Sequence, residues 1–279
     1  MPESAGLAFK AYEIEELADV YFFRPLGMLF ARAARVLRLT PTFVTIVGSL
    51  VGIAGGTLLH DDRLGVIGFA LIIFHSVLDS SDGQLARMTG QVSELGRMLD
   101  GLGGYLTHMA IYIAILSGAL ARGAGPSMLV LMFAAGLSNV VHAQLYDYYR
   151  GSYMRWAITG RLPSTATSTN VVVRVYEGMQ RRLSGRHAEV EAALASRSIG
   201  GIVSEEDRRR YRDCFYWRVR GWNLMGDNTR FYAVGVLAWL HHLDWFFAFV
   251  LLPMNAALAV LWLWQLRADR RFLAELVIG

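Results

Sequence analysis

The feature that most constrains this chain is a series of long apolar runs almost free of charge. Residues 41–59 contain no Asp, Glu, Lys or Arg and open with Pro41, a residue suited to the first turn of a helix. A helix rises 1.5 Å per residue, so about 20 mostly apolar residues cross roughly 30 Å of hydrocarbon. Further apolar runs cover residues 64–78, 101–121, 126–146, 231–243 and 245–266, with His241, His242 and Asp244 marking a tight turn between the last two. The run at 231–243 is the shortest. Together they predict an all-α, polytopic integral membrane bundle of six transmembrane helices. Composition agrees: 54% of residues are hydrophobic and 18% charged, against about 25% charged in a soluble domain.

Arginine placement sets the expected orientation, because cytoplasmic loops carry the excess of basic residues. Lys10 is the only lysine. The connections at 59–64, 121–126 and 243–245 are short and nearly free of arginine, whereas Arg24, Arg32, Arg35, Arg38, Arg87, Arg97, Arg150, Arg267, Arg270 and Arg271 fall on the opposite side. Both termini are therefore expected on the cytoplasmic face of the inner (cytoplasmic) membrane. Residues 1–6 lack the basic start, apolar run and cleavage site of a signal peptide, so insertion is expected to depend on the spans. Cys214 is the single cysteine, which excludes an intramolecular disulfide.

Four segments follow. Residues 1–40 are cytoplasmic and interfacial, with Val20, Tyr21, Phe22, Leu26, Leu29 and Phe30 interleaved with arginines and Pro25 breaking or starting an amphipathic helix. Residues 41–149 hold spans one to four. Residues 150–227 form an Arg-rich helical insertion too long for a simple connection. Residues 228–279 carry spans five and six and the C-terminus. Within the insertion, Val171, Val172, Val175, Tyr176 and Met179 suggest one amphipathic helix, and Ser204 before Glu205, Glu206 and Asp207 reads as the capped start of another. That second helix mixes Arg208, Arg209, Arg210 and Arg212 with Tyr211, Phe215, Tyr216 and Trp217, the pattern of a stretch resting on anionic lipid. A substrate gate is the alternative. Because the basic residues coincide with the membrane surface, no nucleic-acid partner is expected.

The chemistry concentrates in residues 79–104. Written out, the segment reads Asp79-x2-Asp82-Gly83-x2-Ala86-Arg87-x8-Gly96-x3-Asp100. Carboxylates at the end of a membrane helix are costly and mark a site. Asp79 and Asp82 share one helix face at i, i+3, and Asp100 reaches the same depth from the antiparallel next span. Three converging carboxylates would repel one another without a cation, and their oxygens suit Mg2+ or Mn2+. Gly83 and Ala86 keep one wall thin for a nucleotide, and the planar fork of Arg87 can meet a diphosphate. Glu94 and Arg97 read as rim charges.

Seven positions of this segment, at these spacings, resemble the signature of the CDP-alcohol phosphotransferase (CDP-alcohol phosphatidyltransferase) family. The resemblance implies that an alcohol hydroxyl attacks the β-phosphorus of a CDP-alcohol, such as CDP-diacylglycerol, and releases CMP in phospholipid biosynthesis. It implies metal held by Asp79, Asp82 and Asp100, a nucleotide bounded by Asp82, Gly83, Ala86 and Arg87, membrane lipid as a partner, and a homodimer. Thr45 falls where the family's first-span Pro-Asn-x-x-Thr pattern places a threonine near the nucleotide, although Thr42 stands here in place of the Asn.

The family signature continues with a fourth aspartate, which touches metal and is regarded as the base for the acceptor hydroxyl. Here that position is Gly104. Three readings remain open: a non-catalytic member that binds CDP-lipid or lipid as a partner or regulator, a base supplied from elsewhere, or a base supplied by the substrate. His75, four residues before Asp79 and one turn deeper, lies at the depth vacated at 104 and is expected to act with Asp100, as base or extra metal ligand, in space made by Gly103 and Gly104. A histidine hydrogen-bonded between helices is the competing reading of His75. His108 lies a further turn in. For the acceptor, His142, Tyr146 and Arg150 recur every four residues, and Asp227, Asn228 and Arg230 enter span five at the same level. His142, Arg150 and Arg230 are the acceptor candidates, the two arginines for an acceptor phosphate.

Overall fold

The computed structural model describes residues 12–162, 178, 180, 182 and 184–278. The expected helix around Val171–Met179 lies outside the described residues. The described chain is helical, and its β-pairing is confined to the isolated bridges Arg161–Ile202 and Ile199–Ile202. In chain order the main helices are α1 (Arg24–Val36), α2 (Pro41–Leu58), α3 (Gly65–Thr89), α4 (Glu94–Ala121), α5 (Ser127–Tyr153), α6 (His187–Arg197), α7 (Glu205–Trp222), α8 (Asp227–Trp239) and α9 (Asn255–Ile278).

Five helical stretches among the described residues are long and apolar enough to cross a membrane: Pro41–Leu58, Gly65–Thr89, Glu94–Ala121, Ser127–Thr159 and Leu243–Leu276. The fold is thus an all-α polytopic membrane bundle. The expected fifth span is α8, whose 13 residues cover only about 20 Å at 1.5 Å per residue. That is short of the hydrocarbon thickness, so the long apolar stretches number five where the sequence predicts six spans.

The chain divides into two compact units. The first comprises Glu16–Leu137 with Asp227–Leu252. In it α2 packs against both α3 and α4, α1 against α3, and α3 against α8. Small residues permit the close crossings, as expected where apolar lipid gives no hydrophobic drive for helix association. A Cβ at Gly55 would sit 2.8 Å from Gly68 O, so α2 and α3 meet backbone to backbone. Helix starts are fixed by side chains: Thr40 accepts from Phe43 N at 3.2 Å ahead of Pro41, and Ser93 accepts from Gly96 N at 3.0 Å. Gly90, at φ +70°, ends α3 in the left-handed conformation that glycine adopts without strain. Pro25 falls in the first turn of α1, which buries Gly27, Ala31 and Ala34 and exposes Leu29, Phe30, Arg32 and Arg35.

The second unit comprises Ser138–Gly226 with Pro253–Gly279, together with the segment ending at Glu15. Ser204 caps α7 as the sequence indicates, accepting from Asp207 N at 3.1 Å. The aromatic face of α7 departs from the expectation of a stretch lying on lipid. Tyr211, Phe215, Val219 and Trp222 are buried, and the first three share a core with Tyr153, Trp156, Ala268 and Phe272. Only Trp217 remains largely exposed. An apolar stripe with the right period packs equally well on protein, and here α9 offers that surface.

Candidate active site

The motif is carried by α3 and α4 of the first unit. Asp79 and Asp82 sit on α3 one turn apart; Asp100 lies in the second turn of α4, past the Gly90–Ser93 turn. Asp79 and Asp100 are exposed, whereas Asp82 is 7% exposed. Burying a carboxylate requires a partner, and α2 supplies one: Thr45 Oγ1 lies 2.5 Å from Asp82 Oδ2. The same hydroxyl lies 3.0 Å from Pro41 O, so its single proton is shared between two acceptors. Asp100 and Arg87 both lie within electrostatic range of the Asp82 carboxylate. The structure thus brings Thr45 to the motif, where sequence offered only its place in the family's first-span pattern.

The glycines show which backbone surfaces are open. A Cβ on Gly83 would meet only Arg87 Nη1, at 3.5 Å, and a Cβ on Gly101 or Gly104 would meet nothing within 4 Å. Internal packing therefore does not demand glycine at 83, 101 or 104. Gly96 is similarly loose, its nearest neighbour being the Ser93 cap at 3.0 Å. Gly103 differs: a Cβ there would collide with Ser49 Oγ. Glu94 and Arg97 are exposed and pair at 3.6 Å, as rim charges do.

His75 is 7% exposed, with Nδ1 2.9 Å from Gly48 O. Its ring lies against Gly52, where an added Cβ would come 2.8 Å from His75 Cγ and also strike Thr107 Oγ1. The space for His75 is therefore made by Gly52 of α2, whereas Gly103 faces Ser49 and Gly104 faces open space. The expectation that Gly103 and Gly104 accommodate His75 is corrected accordingly: a helical side chain packs where its own face points, and this face of α3 meets α2.

Of the acceptor candidates, Arg230 belongs to the first unit, is 1% exposed and pairs with Asp227 Oδ1 at 3.3 Å. His142 and Arg150 belong to the second unit. His142 is fully buried with Nε2 2.9 Å from Asn255 Oδ1, and Arg150 bonds the Tyr146 hydroxyl and approaches Glu15 at 4.0 Å. A second contact was not legible from sequence: Asp227 Oδ1 also lies 3.3 Å from His108 Nε2. Its only sequence signal was a charged pair, Asp227 and Arg230, at the mouth of an apolar run.

Among the described residues no three His, Cys, Asp or Glu side chains are close enough to form a ready-made metal cluster. The donor chemistry nevertheless fits a hard divalent cation, with two solvent-exposed carboxylates and a buried third bonded to a hydroxyl, all oxygen donors.

Residues 38–185 match the family model described as CDP-alcohol phosphatidyltransferase, an interval that contains α2, α3, α4 and the motif. The chain is also similar to the bifunctional IPC transferase and DIPP synthase of Rubrobacter xylanophilus, 31% identical over 166 residues. That match covers 59% of this chain and 31% of the relative, so the chain spans about a third of the relative's length. No solved structure matches. With more than half its length matched and the motif carboxylates on the expected helices, the chain belongs to the CDP-alcohol phosphatidyltransferase family.

Proposed function

We propose that this protein is a metal-dependent transferase that passes a substituted phosphate group, such as phosphatidyl, from a CDP-alcohol, such as CDP-diacylglycerol, to a hydroxyl acceptor. The observation that carries the reading is the placement of seven signature positions on the consecutive helices α3 and α4, both packed against α2, with the buried member, Asp82, tied to Thr45 of α2. In the reaction the acceptor oxygen forms a bond to the β-phosphorus, the bond to the bridging oxygen breaks, and CMP leaves with the electron pair. Asp79, Asp82 and Asp100 would hold Mg2+ or Mn2+, which when bound neutralises diphosphate charge and stabilises the leaving group. The open backbone at Gly83, with Ala86 a turn away, lets the nucleotide approach α3, and Arg87 faces its phosphates. Thr45 fixes the Asp82 carboxylate before substrate arrives. Arginine distribution supports a cytoplasmic-facing site in the inner membrane, and the family resemblance supports a homodimer; His142, Arg150 and Arg230 are each proposed separately for the acceptor.

Gly104 favours a second reading, a family member that binds CDP-lipid without turnover. One experiment separates the two. The purified protein in lipid nanodiscs is given CDP-diacylglycerol, Mg2+ and a panel of alcohols, and CMP release is followed beside metal-dependent CMP binding. Release with one acceptor establishes the transferase. Binding without release from the wild type, with release gained in Gly104→Asp, establishes the non-catalytic reading. Absence of metal-dependent CMP binding refutes both.

A further inference from the structure

Position 104 offers no side chain, yet the structure places other groups beside it. His108 lies one turn further along α4, and helical side chains lean toward the N-terminus over the preceding turn. Its Nδ1 accordingly lies 3.0 Å from Gly104 O. A carbonyl only accepts, so Nδ1 is the donor in that bond. The opposite nitrogen, Nε2, faces Asp227 Oδ1 at 3.3 Å. One imidazole ring and two polar contacts thus link the backbone of Gly104 to a carboxylate carried on another helix, α8. Phe231, one turn along α8 from Asp227, tilts against the His108 ring with centroids 5.4 Å apart and fixes its plane.

Asp227 has the properties that a replacement carboxylate needs. Both of its ion-pair contacts, to His108 Nε2 and Arg230 Nη1, use Oδ1, and Oδ2 takes part in neither. The Asp227 side chain is 58% exposed, while Arg230 behind it is 1% exposed. The carboxylate is therefore held at Oδ1 by the buried Arg230, which donates from Nη1, with His108 Nε2 close beside it, on a side chain that stays exposed. His108 donates from Nδ1 to Gly104 O and brings Nε2 to 3.3 Å from Asp227 Oδ1, so as an imidazolium it attracts the carboxylate and acts as the positioning residue. His75, by contrast, is buried against Gly52 with Nδ1 on Gly48 O.

We infer that Asp227, held against α4 by His108, is the catalytic base that takes the place of the fourth motif aspartate. The inference rests on the transferase reading above. As the acceptor oxygen bonds to the β-phosphorus and CMP departs with the electrons of the broken bridge, the hydroxyl proton passes to Asp227 Oδ2 and from there to water. The motif carboxylate has in effect moved from α4 to α8, with an imidazole filling the distance.

The test uses the full-length protein in nanodiscs with CDP-diacylglycerol, Mg2+ and the acceptor that supports the highest CMP release. Asp227→Asn keeps the size of the side chain and its suitability for a helix start. It is expected to lower kcat by about 100-fold or more, the scale of general-base catalysis, with metal-dependent CMP affinity unchanged in the folded protein and a lower Tm, because the buried Arg230 loses a charged partner. Adding Gly104→Asp to Asp227→Asn is expected to restore most of the lost kcat, since nothing lies within 4 Å of a Cβ at 104. Wild-type kcat in Asp227→Asn overturns the inference and leaves the transferase reading intact. So does a loss that Gly104→Asp fails to restore, or one matched by an equal loss of CMP affinity. A wild type that binds CMP but releases none with any acceptor defeats the transferase reading itself, and this inference with it.

Discussion

Replacing Thr45 with valine removes one hydroxyl and almost no volume, so it isolates the contact that orients Asp82. In the wild type, Thr45 Oγ1 lies 2.5 Å from Asp82 Oδ2, and the carboxylate is 7% exposed, too enclosed for water to replace the lost donor freely. A hydrogen bond to a charged group contributes about 1.5–3 kcal/mol, and each 1.4 kcal/mol is tenfold in an equilibrium constant. The full range corresponds to about 10- to 150-fold. The hydroxyl also lies 3.0 Å from Pro41 O, so its proton serves Asp82 for only part of the time and the lower end applies. Partners that orient metal-binding carboxylates give a similar scale, about 10- to 100-fold in affinity or activity. Thr45→Val is therefore expected to weaken Mg2+-dependent CMP binding by about tenfold, read by titration calorimetry in nanodiscs, with kcat/KM for CMP release falling in parallel and Tm nearly unchanged. Binding within twofold of wild type in a folded Thr45→Val protein would refute the reasoning, because Asp82 would then need no orientation from α2.

Three further outcomes follow from the same geometry. Gly52→Ala places a methyl group 2.8 Å from His75 Cγ and against Thr107 Oγ1, and overpacking of this kind costs about 1–3 kcal/mol, read as a lower Tm in detergent. His75→Ala is expected to lower Tm through a lost interhelical bond to Gly48 O; the folded fraction should keep its kcat, and a kcat near zero at normal CMP affinity would return the base role to His75. In the second unit, burial opposes ionisation of Glu191, but His187, bonds from Ser152 Oγ and Trp156 Nε1, and Arg155 outweigh it and hold the carboxyl below its usual range. A depressed folded pKa adds stability above the unfolded value, about 4.3, that is lost as pH falls through the folded value. Glu191→Gln should therefore flatten the acid side of the Tm–pH curve below about pH 4.3, and an unchanged acid slope would contradict the assignment.

The spans and motif were legible because they are local patterns. Uncharged runs give helices, and Asp79, Asp82 and Asp100 declare themselves as carboxylates where apolar residues should stand. What sequence could not supply were meetings between helices distant in the chain. Thr45 and Asp82 are joined by the glycine-rich crossing of α2 and α3, and His108 and Asp227 by the packing of α8 into the first unit. His75 illustrates the limit: rise per residue gives its position along α3, but the face it presents is decided by which neighbour has a glycine to receive it. The α7 helix shows the same limit, since its aromatic stripe has one period whether lipid or α9 covers it. In the second unit, Ser152, His187, Asp269 and Tyr211 form a buried hydrogen-bonded chain that no motif announced, because its members come from four separate segments. Each is at most 1% exposed, so the chain ties helices together inside a core.

The central claim is that the carboxylates of α3 and α4 form a metal-dependent site that cleaves a CDP-alcohol. The most direct measurement is Mg2+-dependent CMP release from CDP-diacylglycerol by wild type and by Asp82→Asn, in nanodiscs and with the acceptor panel. The account predicts release by the wild type that is abolished by chelation and by Asp82→Asn in a protein of unchanged Tm. Release that persists in Asp82→Asn, or that is indifferent to chelation, would contradict it.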